Sequence, residues 1–126
     1  MKTIVYILIA GALGAMSRYT VGLIFSSDYS ILAINLIGSF ALAIVFDWLG
    51  ELSIISKEFC GALATGFIGA FTTFSAITLN NVTYITNGYY GTAIIHILIC
   101  VFGGLGLSFL GILLSKKLVM RRRIAS

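Results

Sequence analysis

Between Phe59 and Ser115 the chain carries no formal charge except one that His96 could hold. That is far too much apolar sequence for a single crossing of a hydrocarbon core ~30 Å thick, so this stretch must enter and leave a bilayer. Asn87-Gly88 followed by Tyr89-Tyr90-Gly91 is the strong turn signal within it, and the tyrosine pair suits a membrane interface. A chain that is 60% hydrophobic and 10% charged, with a mean hydropathy of +1.10, cannot cover a water-soluble surface. The expected fold class is an all-α membrane protein with four transmembrane helices.

The charges mark the span boundaries. Lys2, Arg18, Asp28, the segment from Asp47 to Glu58, and Lys116 onward leave one four-span membrane domain over residues 1–126, with spans at about 3–25, 31–49, 59–86 and 91–114. The first reads as a retained helix, not a cleaved leader. The third would measure about 42 Å as a straight helix at ~1.5 Å per residue, so it should tilt strongly or break. Its middle, GFIGAFTTFS at 66–75, clusters Gly66, Gly69, Thr72, Thr73 and Ser75. Two readings stand. Small residues let helices approach closely in lipid, as Gly11, Gly14, Gly103, Gly104, Gly106 and Gly111 would elsewhere. Alternatively an unwound segment at mid-membrane exposes carbonyls and a half-helix N-terminus to an ion.

Several side chains are chemically distinctive. Asn35 puts a carboxamide in mid-span, where it must be bonded; it is either glue between helices or a pair of N–H donors for an anion. Thr72, Ser75 and Thr78 recur at helical spacing as a stripe of hydroxyls, and Phe74 offers an aromatic edge with positive quadrupole or simply fills space. A half-helix beginning Thr72-Thr73-Phe74-Ser75 would direct partial positive charge at an anion. Arg18 is a topology anchor or an attractor of anions, and His96 is a pathway group or a neutral histidine bonded between helices. Cys60 and Cys100 have no metal-ligand spacing and read as packing residues. A single histidine and four peripheral carboxylates form no catalytic constellation, so the chain is not expected to be an enzyme. The basic tail, Lys116-Lys117 and Arg121-Arg122-Arg123, is read as contact with anionic lipid and not with nucleic acid.

Three motifs in order, GALGAMSRY at 11–19, NLIGSF at 35–40 and GFIGAFTTFS at 66–75, resemble the small four-span bacterial fluoride channels of the Fluc or CrcB family, over essentially the whole chain. The resemblance implies an antiparallel, dual-topology-type dimer with two fluoride pathways. It also implies a structural Na+, not transported, held by the backbone carbonyls of Gly69 and Thr72 from each subunit. It carries over Asn35, Phe74, Ser75, Thr73, Thr78, Arg18 and His96 as the anion pathway, and implies passive export of cytoplasmic fluoride. Ala76 and Ile77 replace the family's usual threonine and second phenylalanine, and Asn80 stands where many relatives carry glutamate.

Two other function classes fit a chain of this size. A proton-coupled small-multidrug exporter would need a carboxylate in mid-membrane, and every Asp and Glu here lies outside the apolar runs. A non-conducting structural partner of a heterodimeric channel fits the loss of the second phenylalanine at Ile77. With four spans, Lys2, Lys57, Lys116, Lys117, Arg121, Arg122 and Arg123 share one side against Arg18 on the other. The positive-inside rule then places both termini in the cytoplasm, with the chain in the plasma membrane. So firm a bias favours an oppositely oriented paralogue as the antiparallel partner over a second copy of this chain.

Overall fold

The computed structural model describes residues 1–25, 28–52 and 54–125. Helix α1 (Lys2–Ile24) and helix α2 (Asp28–Asp47) are followed by a 3-10 turn at Leu49–Glu51. The third span is composite: α3 (Lys57–Gly61), a π-helix π1 (Ala62–Ile68), α4 (Gly69–Phe71) and, after a gap, α5 (Phe74–Thr86). The fourth is α6 (Tyr90–Leu98), a second π-helix π2 (Ile99–Gly103) and α7 (Gly104–Ala125). Among the described residues four helical runs, of 23, 23, 30 and 35 residues, are long and apolar enough to cross a membrane.

Local chemistry sets most of the boundaries. Ser56 caps α3 by accepting from the Phe59 N–H at 3.2 Å, with Glu58 in the first turn beside the positive helix end. The expected turn at Asn87-Gly88 closes α5: Gly88 takes φ +80°, a backbone conformation that glycine adopts without a Cβ penalty. The Tyr89 N–H returns to the Tyr84 carbonyl at 2.8 Å. The helix of the fourth span runs on past the expected boundary at 114. Lysine and arginine are good helix formers and suit the negative end of a helix, so α7 continues through the basic tail to Ala125.

Packing follows the small residues. A Cβ on Gly14 of α1 would run into the Phe67 backbone of π1, so these two helices touch backbone to backbone. A Cβ on Gly38 of α2 would collide with the Thr72 methyl, which lets α2 press directly on the gap in the third span. Val45, Ala64 and Ile68 form a small buried core where α2 meets π1, walled by Ala41, Leu42 and Phe67. Arg123 and Glu51 pair at 3.4 Å, bringing the end of α7 to the loop that follows α2.

Candidate functional site

The gap in the third span comprises two residues. Helix α4 ends at Phe71; Thr72 is extended at φ −76°, ψ 158°, and Thr73 at φ −150°, ψ 119°. An unpaired backbone group inside a bilayer costs several kcal/mol, on the order of a lost hydrogen bond in hydrocarbon, so every group freed here needs a partner.

Asn35 supplies partners for both backbone groups of Thr73. In an extended residue the N–H and C=O point to the same side, and one carboxamide can pair with both. Asn35 Oδ1 accepts from the Thr73 N–H at 2.8 Å, and its Nδ2 donates to the Thr73 carbonyl at 3.0 Å. The second Nδ2 hydrogen goes to the Ile31 carbonyl, also at 3.0 Å. Both amide hydrogens are therefore engaged within the chain. One turn later Ser39 donates to the Asn35 carbonyl at 2.9 Å. Arg18 reaches across from α1, its Nη1 donating to the Thr72 carbonyl at 3.2 Å.

Thr73 then opens α5 as its N-cap. Its Oγ1 accepts from the Ala76 N–H at 3.3 Å and shares a hydrogen bond with Ser75 Oγ at 3.2 Å. The half-helix begins two residues later than the sequence suggests, at Phe74, so the N–H groups of Phe74 and Ser75 lie in the first turn with no intrahelical acceptor. Thr72 stays with the preceding half: its hydroxyl donates back to Ile68 at 2.9 Å. The three hydroxyls at 72, 75 and 78 thus do not form one stripe, because the gap divides them. Thr78 sits on α5, donating to the Phe74 carbonyl at 3.1 Å.

Two open cavities flank the gap, and Thr73 lines both. One of ≈ 300 Å³ is bounded by Asn35, Ser39, Gly69, Thr72, Phe74 and Ile77. The other, of ≈ 440 Å³, is bounded by Arg18, Tyr19, Ser30, Ile34, Ser75 and Ala76. Phe74, which bounds the first cavity, is 84% exposed and presents most of its aromatic ring at the start of α5. Arg18, Asn35, Thr72, Thr73, Phe74 and Ser75 are thus brought together; Gly69 lies one helical turn before them.

His96 is elsewhere. It is buried at 6% exposure between α6 and α5, with Nδ1 3.0 Å from Asn81 Nδ2 and the Tyr84 ring edge-on at 5.7 Å. Asn81 is the residue that sequence reasoning passed over. The signal was available, because a carboxamide in an apolar span demands a partner for the same reason as Asn35.

Residues 5–112 match the family described as CrcB-like protein, Camphor Resistance (CrcB). The chain belongs to the CrcB-like family. It is 42% identical to "Fluoride-specific ion channel FluC 2" of Listeria innocua serovar 6a, with 92% of each chain covered. It is 36% identical to "Fluoride-specific ion channel FluC 1" of Desulfitobacterium hafniense, covering 82% of this chain and 95% of that one. It is 35% identical to "Fluoride-specific ion channel FluC 1" of Bacillus anthracis, covering 96% and 94%. Together with its four apolar runs, this makes the CrcB-like chain a multi-pass membrane protein.

Proposed function

We propose that this CrcB-like chain is a subunit of a fluoride-selective channel that lets cytoplasmic fluoride leave passively. The observation that carries the reading is the gap at Thr72–Thr73, pinned by Asn35, which points the first turn of α5 into cavities in the middle of an apolar span. Fluoride is small and strongly hydrated, so its passage requires donors in place of water. The α5 N-terminus, the Ser75 hydroxyl and the edge of Phe74 supply partial positive charge without a titrating carrier. The relatives' names supply the ion. Asp47, Glu51 and Glu58 all lie at helix ends or in the loop that joins spans two and three, which argues against a proton-coupled exporter.

In this reading Asn35 serves the pathway by shaping it, since its N–H groups are already bonded, and Arg18 places positive charge at the 440 Å³ cavity while holding Thr72. The Gly69 carbonyl fits a structural Na+, because the Thr73 N–H that would continue the helix onto it is taken by Asn35. The Thr72 carbonyl fits less well: a cation there would face the Arg18 guanidinium on the same oxygen. Bound Na+ would neutralise carbonyls at the end of α4 and tie subunits together.

The presented Phe74 and the Ile77 beside it favour an antiparallel assembly whose partner completes the aromatic lining. The numbered names FluC 1 and FluC 2 among the relatives, and the seven-to-one charge bias, favour an oppositely oriented paralogue as that partner. The Arg123–Glu51 pair supports a common side for the tail and the loop after α2, the plasma membrane's cytoplasmic side by the positive-inside rule. The test is anion efflux from liposomes holding this chain alone or co-purified with a paralogue encoded by the same genome. Fluoride efflux without chloride efflux is expected, faster with the paralogue. Efflux that requires a proton gradient or a drug-like cation would sink the channel reading, and equal fluoride efflux from the chain alone would remove the paralogue.

A further inference from the structure

Apart from the gap, the ends of α2 and α7 enclose an open cavity of ≈ 350 Å³. Asp47 and Glu51 wall one side, and Lys116, Val119, Met120 and Arg123 the other. Those last four positions recur at i, i+3, i+4 and i+7, so they share one face of α7. The two helices run side by side in the same direction: a Cβ on Gly103 would meet Leu36, and one on Gly111 would meet Ala43. Carried on by one turn, that register puts Asp47 opposite Lys116, and the Arg123–Glu51 pair lies a further turn along. Both apolar runs end here. Asp47 is the last residue of α2, Lys116 follows directly on the fourth run, and Trp48, a residue suited to the membrane interface, adjoins Asp47. The cavity therefore opens at the depth of lipid headgroups. Asp47 is half-buried and sits against the grain of its own helix. A carboxylate at a helix C-terminus faces the negative end of the macrodipole, and the last turn of α2 holds no basic residue. Among the described residues the ion pair at this end joins Arg123 to Glu51 and not to Asp47.

We propose that this cavity binds the phosphoethanolamine headgroup of a bilayer lipid, with the ammonium on Asp47 and the phosphate on Lys116 and Arg123. The site needs only that the chain spans a membrane, whatever ion it conducts. Its four charges cancel, two acidic and two basic. An anionic headgroup would lose to Asp47 and Glu51 what it gains from Lys116 and Arg123, whereas a headgroup carrying both signs meets both. The carboxylate and the carbonyl end of α2 together ask for a cation. An ethanolamine ammonium has three N–H groups to donate to them, while a choline has the charge without a donor. Val119 and Met120 supply an apolar floor for the carbon chain beside the phosphate. Lys117, Arg121 and Arg122 lie outside these walls, and there the attraction of the basic tail to anionic lipid is unopposed.

Trp48 is the only tryptophan and adjoins Asp47, so its fluorescence reports the lipid at this cavity. The experiment uses the full chain in phosphatidylcholine bilayers and measures quenching of Trp48 by added lipid with brominated acyl chains. The added lipid is phosphatidylethanolamine, phosphatidylcholine or phosphatidylglycerol. In the wild type, phosphatidylethanolamine should reach half-quenching at a mole fraction about fivefold below that of brominated phosphatidylcholine, equivalent to ~1 kcal/mol for the hydrogen bonds that choline cannot make. Asp47→Asn should bring these two lipids within about twofold of each other and strengthen quenching by phosphatidylglycerol. That variant takes a carboxylate off the negative end of α2, which favours the fold. Asp47→Glu keeps the carboxylate and should keep the preference. Lys117→Gln, outside the cavity, should change the preference by no more than about twofold, as for uncoupled sites. Equal quenching by the ethanolamine and choline lipids in the wild type overturns the proposal, as does a preference that survives Asp47→Asn. Stronger wild-type quenching by phosphatidylglycerol than by phosphatidylethanolamine overturns it too, because the general pull of the basic tail then governs which lipid sits there.

Discussion

Replacing Asn35 with alanine removes the carboxamide that holds the gap and leaves the surrounding helices otherwise intact. The Thr73 N–H then has no acceptor in a residue only 9% exposed, at a cost of about 1–3 kcal/mol for a buried donor left unpaired. The Thr73 carbonyl loses its Nδ2 partner, worth a further ~0.5–1.5 kcal/mol, while the Ile31 carbonyl keeps its place in the α2 ladder and loses little. The sum is about 2–4 kcal/mol against the closed gap. At ~1.4 kcal/mol per tenfold, that is a loss of about thirty- to several-hundred-fold in protection of the Thr73 amide against hydrogen exchange. The measurement is residue-resolved exchange in nanodiscs, comparing Thr73 with the amides of α7. Asn35→Asp restores an acceptor but no donor, so it should recover part of the protection. If the alanine variant loses fluoride flux while Thr73 keeps its protection within about threefold, Asn35 acts on the anion directly and the clamp argument fails.

Two further outcomes are expected. Arg18→Gln takes the guanidinium off the Thr72 carbonyl, so the Na+ concentration that half-stabilises the protein in thermal melts should fall by about tenfold, equivalent to ~1.4 kcal/mol of relieved like-charge repulsion; an unchanged midpoint would mean that Na+ does not use that oxygen. Ser115 is 0% exposed and its hydroxyl has no partner among the described residues, so Ser115→Ala should be neutral or stabilise by up to ~1 kcal/mol, raising the melting temperature by a few degrees. Marked destabilisation would show that the hydroxyl is bonded.

The four apolar runs were legible because hydropathy and charge placement act over whole segments, and lipid permits little besides helices there. A break was legible only as one of two outcomes: the third run is too long for one straight, upright helix, but strong tilt would also fit its length and helix packing its small residues, and it was the resemblance that favoured the break. Its place within GFIGAFTTFS was less so. The gap falls at Thr72–Thr73 because Asn35, 38 positions earlier, matches the backbone of Thr73, and nothing in the local pattern encodes that distance. Asn35 could be recognised as a polar group needing partners, but not which partners. Arg18 read as a topology anchor or an attractor of anions, and only the packing of α1 shows it donating to a carbonyl. Asn81 could have been found by the argument applied to Asn35, since both are carboxamides within apolar spans.

The Asn35 clamp also bears on the order of assembly. A span that breaks at Thr73 carries an amide that lipid cannot satisfy, so the broken form has no stable existence alone in a bilayer. Its remedy sits on α2, which precedes the third span in the chain and leaves the ribosome first. The third span can therefore adopt its final shape only against an α2 already in place, with Gly38 allowing the close approach. A truncation beginning after α2, or a permutation presenting the third span ahead of it, would have to pass that segment through the membrane as an unbroken helix. The break is thus a product of docking, and its timing during synthesis is set by chain order.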